Sequence, residues 1–127
     1  MAKIKIIVEK TRTGYSAFAE KYSAYTTGGN YHELKRNMLE SINLLFDYQK
    51  QKLVEEDDLR FVLDLPQFFE FYKVINAKAL SERIGMNQSL LAQYIKGHKT
   101  PSEAQVKRIL KGIRQLGTEL SKVEMIG

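Results

Sequence analysis

Between Asn76 and Ser102 the chain sets one helix boundary after another, and this punctuation constrains the fold more than any other feature. Asn76 is a short side chain able to accept hydrogen bonds from the first amides of a helix, and Ala77–Ile84 follows it with Leu80 and Ile84 one turn apart, stopping at Gly85. Asn87 caps the next segment, Gln88–Lys96, which carries Leu90, Leu91 and Tyr94 on one side and stops at Gly97. Two short helices joined this closely need a small residue at the bend and apolar residues facing inward on both. Gly85 supplies the bend, and Met86 can plug the corner. Thr100-Pro101-Ser102-Glu103 reads as a capping box with proline at the first helical position. The helix it opens carries Val106, Ile109, Leu110, Ile113, Leu116 and Leu120 at helical spacing, with Gly112 and Gly117 weakening it. Upstream, Pro66 suits the first turn of a helix through Phe68, Phe69, Phe71, Tyr72 and Ile75. Residues 65–127 therefore read as an all-helical domain.

Residues 1–64 follow a different period. Ile4, Ile6 and Val8 alternate with Lys3, Lys5 and Ile7, as in a strand over 3–9. A turn at Thr11–Gly14 returns the chain through Tyr15–Ala19, and a third short strand over Ser23–Thr27 ends at Gly28-Gly29. Asn30 with Glu33 forms a capping signal for a helix whose Leu34, Met38, Ile42, Leu45 and Phe46 share one face. Glu55-Glu56-Asp57-Asp58 reads as a solvated loop, and Leu59–Leu63 as a last strand. The expected fold is α+β: a small β-β-(β)-α-β layer followed by the helical domain.

The 127 residues include no cysteine, which excludes disulfides and thiolate metal sites. The first apolar run is interrupted by Lys5 and too short for a signal peptide or membrane span, so a cytoplasmic protein is expected. The net charge of +5 is unevenly placed. Residues 1–75 hold eleven Lys/Arg and eleven Asp/Glu, whereas residues 76–127 hold nine against four. An excess confined to the helical part points to a polyanionic partner there.

Catalysis is not expected. Glu9, Glu33 and Glu40 lack a dense acidic cluster around them, and neither a nucleophile–histidine pair nor a phosphate-cradling glycine loop is present. No cofactor or metal is expected either. In a helix-turn-helix the first residues of the second helix face base edges in the major groove. Gln88, Ser89 and Gln93 suit that role, because glutamine can donate to and accept from adenine's edge and serine is a short adaptable partner. Lys78, Lys96, His98 and Lys99 suit phosphates. With Asn87 at the helix start, these eight residues form the candidate DNA-contacting set.

The stretch LSERIGMNQSLLAQYIKGHKTPS resembles the Cro/phage-repressor type of helix-turn-helix, through Gly85, Asn87, Gln88, Ser89, Gly97, Lys99, Pro101 and Ser102. It departs from that pattern at Ile95, where an acidic residue is common, and at Ser81, where alanine is usual. The first half, from IKIIVEKTRTGYSAFAEKY through GGNYHELKRNMLESINLLF, is similar to HicB antitoxin domains, whose partial ribonuclease-H-like fold it would share. The later segments look like the DNA-binding extension of one HicB subgroup. The resemblance implies an antitoxin of a type II toxin–antitoxin system. It would mask a small HicA-like ribonuclease toxin, repress its own promoter, and form a homodimer or larger assembly. A stand-alone repressor whose first domain dimerises or senses a ligand is the alternative.

Overall fold

The computed structural model describes residues 3–125 of the chain, which divide into two compact units, Met1–Phe71 and Tyr72–Gly127. The first is a mixed sheet with helices, and the second is helical. The α+β expectation therefore holds at that level.

In the first unit, β1 (Ile4–Thr11), β2 (Gly14–Ala19) and β3 (Tyr25–Gly28) form an antiparallel meander, with β3 starting and ending later than expected. Helix α1 (Tyr31–Tyr48) then crosses back, so that β4 (Leu59–Leu63) lies parallel to β1 and the strand order is β3-β2-β1-β4. A parallel neighbour requires such a crossover, and the eighteen-residue helix provides it. Asn30 caps α1 by accepting the Glu33 amide at 2.8 Å. The Glu33 carboxylate accepts from the Gly29 amide at 3.3 Å, one residue upstream of the amide that a capping box uses.

Leu34, Met38, Ile42 and Phe46 recur every four residues, and all four are buried against Ile6, Val8, Ala17 and Ala19. The alanines of β2 leave room for the larger side chains of the helix. Beyond α1, the Asn43 side-chain amide donates to the Val54 carbonyl at 2.9 Å and accepts from the Val54 amide at 2.8 Å. This pins the returning loop and brings Val54 into the core. The acidic run becomes a 3₁₀ turn (Glu56–Asp58) in which Asp58 accepts from the Glu55 amide at 2.9 Å, and Lys35 pairs with Glu56 at 3.2 Å.

Helix α2 (Leu65–Phe71) corrects the expected division of the chain. It belongs to the first unit, because Gln67 behaves as one more rung of the sheet. Its side-chain oxygen accepts from the Lys10 amide at 2.8 Å, and its side-chain nitrogen donates to the Lys10 carbonyl at 2.9 Å. The helix also stops at Phe71 rather than running to Ile75. Residues 72–75 form a turn closed by the Ile75 amide on the Tyr72 carbonyl.

The second unit contains α3 (Ala77–Ile84), α4 (Gln88–Lys96) and α5 (Glu103–Ser121). Ser102, not Thr100, caps α5, since its hydroxyl accepts from the Gln105 amide at 3.2 Å. Pro101 therefore lies just outside the helix. Among the described residues no helix is long and apolar enough to cross a membrane.

Candidate nucleic-acid interface

Helices α3 and α4 take their bounds from local chemistry. Asn76 accepts from the Ala79 amide at 3.0 Å. Gly85 then adopts a left-handed conformation (φ 67°), which costs other residues more, and turns the chain out of α3. Met86 is buried at the corner and donates its amide to the Ser81 carbonyl at 2.9 Å. Asn87 starts α4 by accepting from the amides of Ser89 (2.9 Å) and Leu90 (3.2 Å). Its side-chain oxygen is therefore engaged in holding the helix start.

The inward side of α4 is Leu91, fully buried, and Tyr94, with Leu90 partly covered. On the opposite side Ser89, Ala92, Gln93 and Lys96 fall three and four residues apart and share one face. Gln88, Ser89 and Lys96 are exposed, and Ala92 and Gln93 are half-buried. Among the described residues the side chains of Gln88 and Ser89 make no intramolecular hydrogen bond. At the far end Gly97 is left-handed (φ 78°), and the Gln93 carbonyl accepts from the amides of His98 (2.9 Å) and Lys99 (3.3 Å). The exit turn is thus tied to α4 through its backbone, while both side chains remain exposed. Lys78 is exposed in the first turn of α3.

Helix α5 braces this arrangement through contacts that local sequence does not reveal. The Arg108 guanidinium donates to the carbonyls of Ile84 (3.0 Å) and Gly85 (2.7 Å), placing a cation on the negative end of α3. Arg83 and Glu119 form a two-pronged pair at 2.6 and 3.1 Å. The hydrogen bond from Arg83, and then its charge, holds the Glu119 carboxyl below the usual carboxylate range. Gly112 is buried where α5 meets α3. A glycine between Ile109 and Ile113 was the one visible signal of this contact. Ser81, the departure from alanine, is 1% exposed, and its hydroxyl donates to the Lys78 carbonyl at 2.6 Å, so the polar group is satisfied in the core.

Tyr72–Gly127 holds ten Lys/Arg against four Asp/Glu, and all ten basic residues are exposed. Of the acidic residues weighed for catalysis, Glu33 is bonded to the Gly29 amide on α1. Glu9 alternates onto the face of β1 that points away from α1. Among the described residues no three His, Asp or Glu side chains group as a metal site would. No protein-family model, curated protein or solved structure matches this chain.

Proposed function

We propose that this chain is a HicB-like antitoxin that represses its own operon by sequence-specific binding to double-stranded DNA. One observation carries the DNA reading. Gln88 and Ser89 stand exposed at the capped start of α4, their side chains without a hydrogen bond among the described residues, on a unit that holds the chain's entire basic excess. In this reading α3 and α4 are the helix-turn-helix and α4 enters the major groove. Gln88, Ser89 and Gln93 meet base edges, the Ala92 methyl can touch a thymine methyl, and Lys78, Lys96, His98 and Lys99 meet phosphates. Asn87 serves by fixing the helix start.

The antitoxin half of the proposal rests on the HicB resemblance of the first unit. Its β-β-β-α-β order, with β4 parallel to β1, supports a partial ribonuclease-H-like reading. The partners are the operator, a small HicA-like toxin and a second copy of the chain.

Footprinting of the promoter at two salt concentrations tests the DNA half. Gln88→Ala or Gln93→Ala should cost about 1–3 kcal/mol at one base pair and flatten sequence preference. Lys99→Ala should weaken binding to all sequences and lower the salt slope by about one. Variants that bind operator and random DNA as the parent does would end this assignment. A small basic open reading frame beside this gene would favour the other half, and co-expression with its product tests it: an antitoxin restores growth. Promoter binding without rescue leaves the stand-alone repressor.

A further inference from the structure

Helix α5 presents a side that the brace on α3 does not use. Arg108, Gly112 and Glu119 meet α3 or the turn after it, and Ile109 is fully buried. Across the helix from Ile109 stand Lys107, Lys111, Arg114 and Thr118, with Lys122 at the C-cap. Their intervals of four, three, four and four residues, at about 100° per residue, keep all five within an arc of about 80°. All five are exposed. Among the described residues, none of the four basic side chains has an ion pair or hydrogen bond. Of the acidic residues of α5, Glu119 is paired with Arg83, and Glu103 lies one turn ahead of the row.

Helix α5 contains no aromatic residue, so the row lacks the stacking platforms that hold single strands. It also lacks the apolar and aromatic anchors on which protein interfaces centre. A membrane-surface helix inserts its apolar side, and here Ile109 and Gly112 on that side are already buried. What fits a line of cations without anchors is a run of phosphates. From Lys107 to Lys122 the row extends about 22 Å at about 1.5 Å per residue, and one strand of a duplex carries a charge about every 3.4 Å of its axis.

We infer that this row grips the phosphate backbone of double-stranded DNA outside the groove that α4 enters, and that it reads no sequence. The row sets affinity and its salt dependence, while Gln88, Ser89 and Gln93 set preference. The inference rests on the proposed DNA reading of the second unit, but not on the recognition role of α4. Its test therefore uses a duplex of random sequence, where base contacts select nothing.

Fluorescence anisotropy of a labelled random-sequence duplex, titrated with the full chain between about 50 and 200 mM salt, measures the grip. Lys107→Gln, Lys111→Gln and Arg114→Gln together should lower the slope of log affinity against log salt by about 2.7, at about 0.9 per phosphate contact. The parent's advantage over this triple variant should then shrink about fortyfold across that salt range. The urea midpoint should be unchanged, since the three sites are exposed and glutamine is a good helix former. Lys21→Gln, Arg36→Gln and Lys52→Gln remove the same charge from exposed sites of the first unit, and together should change the slope by less than about one. Equal slopes for the two triple variants overturn the inference, as does a parent that binds no random duplex. Poly-glutamate that displaces the labelled duplex as well as unlabelled duplex does, charge for charge, overturns it in favour of an acidic protein. If Gln88→Ala leaves promoter preference unchanged while the α5 variant still loses slope, the α4 assignment fails and this inference holds.

Discussion

Replacing Gly112 by alanine should destabilise the second unit, although the same change five residues along the helix at Gly117 should stabilise it. A methyl group added at Gly112 would lie 2.2 Å from Ile84 Cγ2, with Ile84 Cβ at 3.6 Å and Leu80 Cδ1 at 3.8 Å. Carbon atoms settle at about 3.5–4.0 Å, so more than an ångström must be found. Ile84 cannot readily supply it by rotation, because a β-branched side chain in a helix is nearly confined to one χ1 rotamer. Helix α5 must then move off α3, and overpacking of this kind costs about 1–3 kcal/mol. Against this stands the helix preference of alanine over glycine, about 1 kcal/mol. The net expectation at Gly112 is a loss of about 0–2 kcal/mol. At Gly117 nothing lies within 4 Å of the added methyl, so only the gain of about 1 kcal/mol remains.

Urea unfolding of the full chain measures the difference, with amide signals of α3 and α5 assigning the transition to the second unit. The two variants should differ by about 1–3 kcal/mol in opposite directions from the parent. Ile84→Leu moves the branch away from Cβ and removes Cγ2. Alone it should cost less than about 1.5 kcal/mol, and combined with Gly112→Ala it should recover most of the loss. Equal stabilisation by Gly112→Ala and Gly117→Ala would refute the reasoning, because α5 would not then approach α3 at Gly112.

Three further outcomes follow from the same geometry. Asn87→Ala removes the acceptor for two amides and should cost about 1 kcal/mol of stability, whereas Gln88→Ala should change stability by less than about 0.5 kcal/mol; thermal unfolding of the pair separates the cap from the candidate base contact. Lys50, just past α1, has φ 58°, so Lys50→Gly should raise the stability of the first unit by up to about 1 kcal/mol in urea unfolding. Glu119 titrates below its unfolded value, so its contribution is present above the ordinary carboxylate range and is lost as pH falls through the folded value. A urea-stability profile against pH should show this acid-side loss in the parent, reduced by added salt and missing in Glu119→Gln.

The bounds of α3 and α4 were legible because their causes are local. Asn76, Gly85, Asn87 and Gly97 each act within a few residues of the helix end they define, and each is found in that role. The face of α1 was legible for a related reason, since one period places Leu34, Met38, Ile42 and Phe46 together. What escaped was tertiary. Gln67 looks like an ordinary polar helix residue until Lys10, fifty-seven positions away, presents both backbone groups to it. That one side chain assigns α2 to the first unit. Arg108 likewise counts only as basic charge until α5 brings it to the end of α3. Thr100 and Ser102 were indistinguishable as caps by residue type, and the Gln105 amide decides between them.

In the candidate interface this contrast separates two duties that sequence alone had merged. Asn87 holds the start of α4, and the carbonyl of Gln93 holds the exit turn through the amides of His98 and Lys99. Arg83 and Arg108 are engaged in bracing α3 against α5. The residues left with exposed polar ends are Gln88, Ser89, Lys96, His98 and Lys99, along one side of α4 and its exit. Because the backbone beneath them is already fixed, binding through these groups costs mainly side-chain ordering rather than loop ordering. Under the proposed DNA reading, preorganisation of this kind would suit the short segment to a rigid surface such as a duplex groove, while Arg83–Glu119 and Arg108 hold α3 and the turn after it against α5.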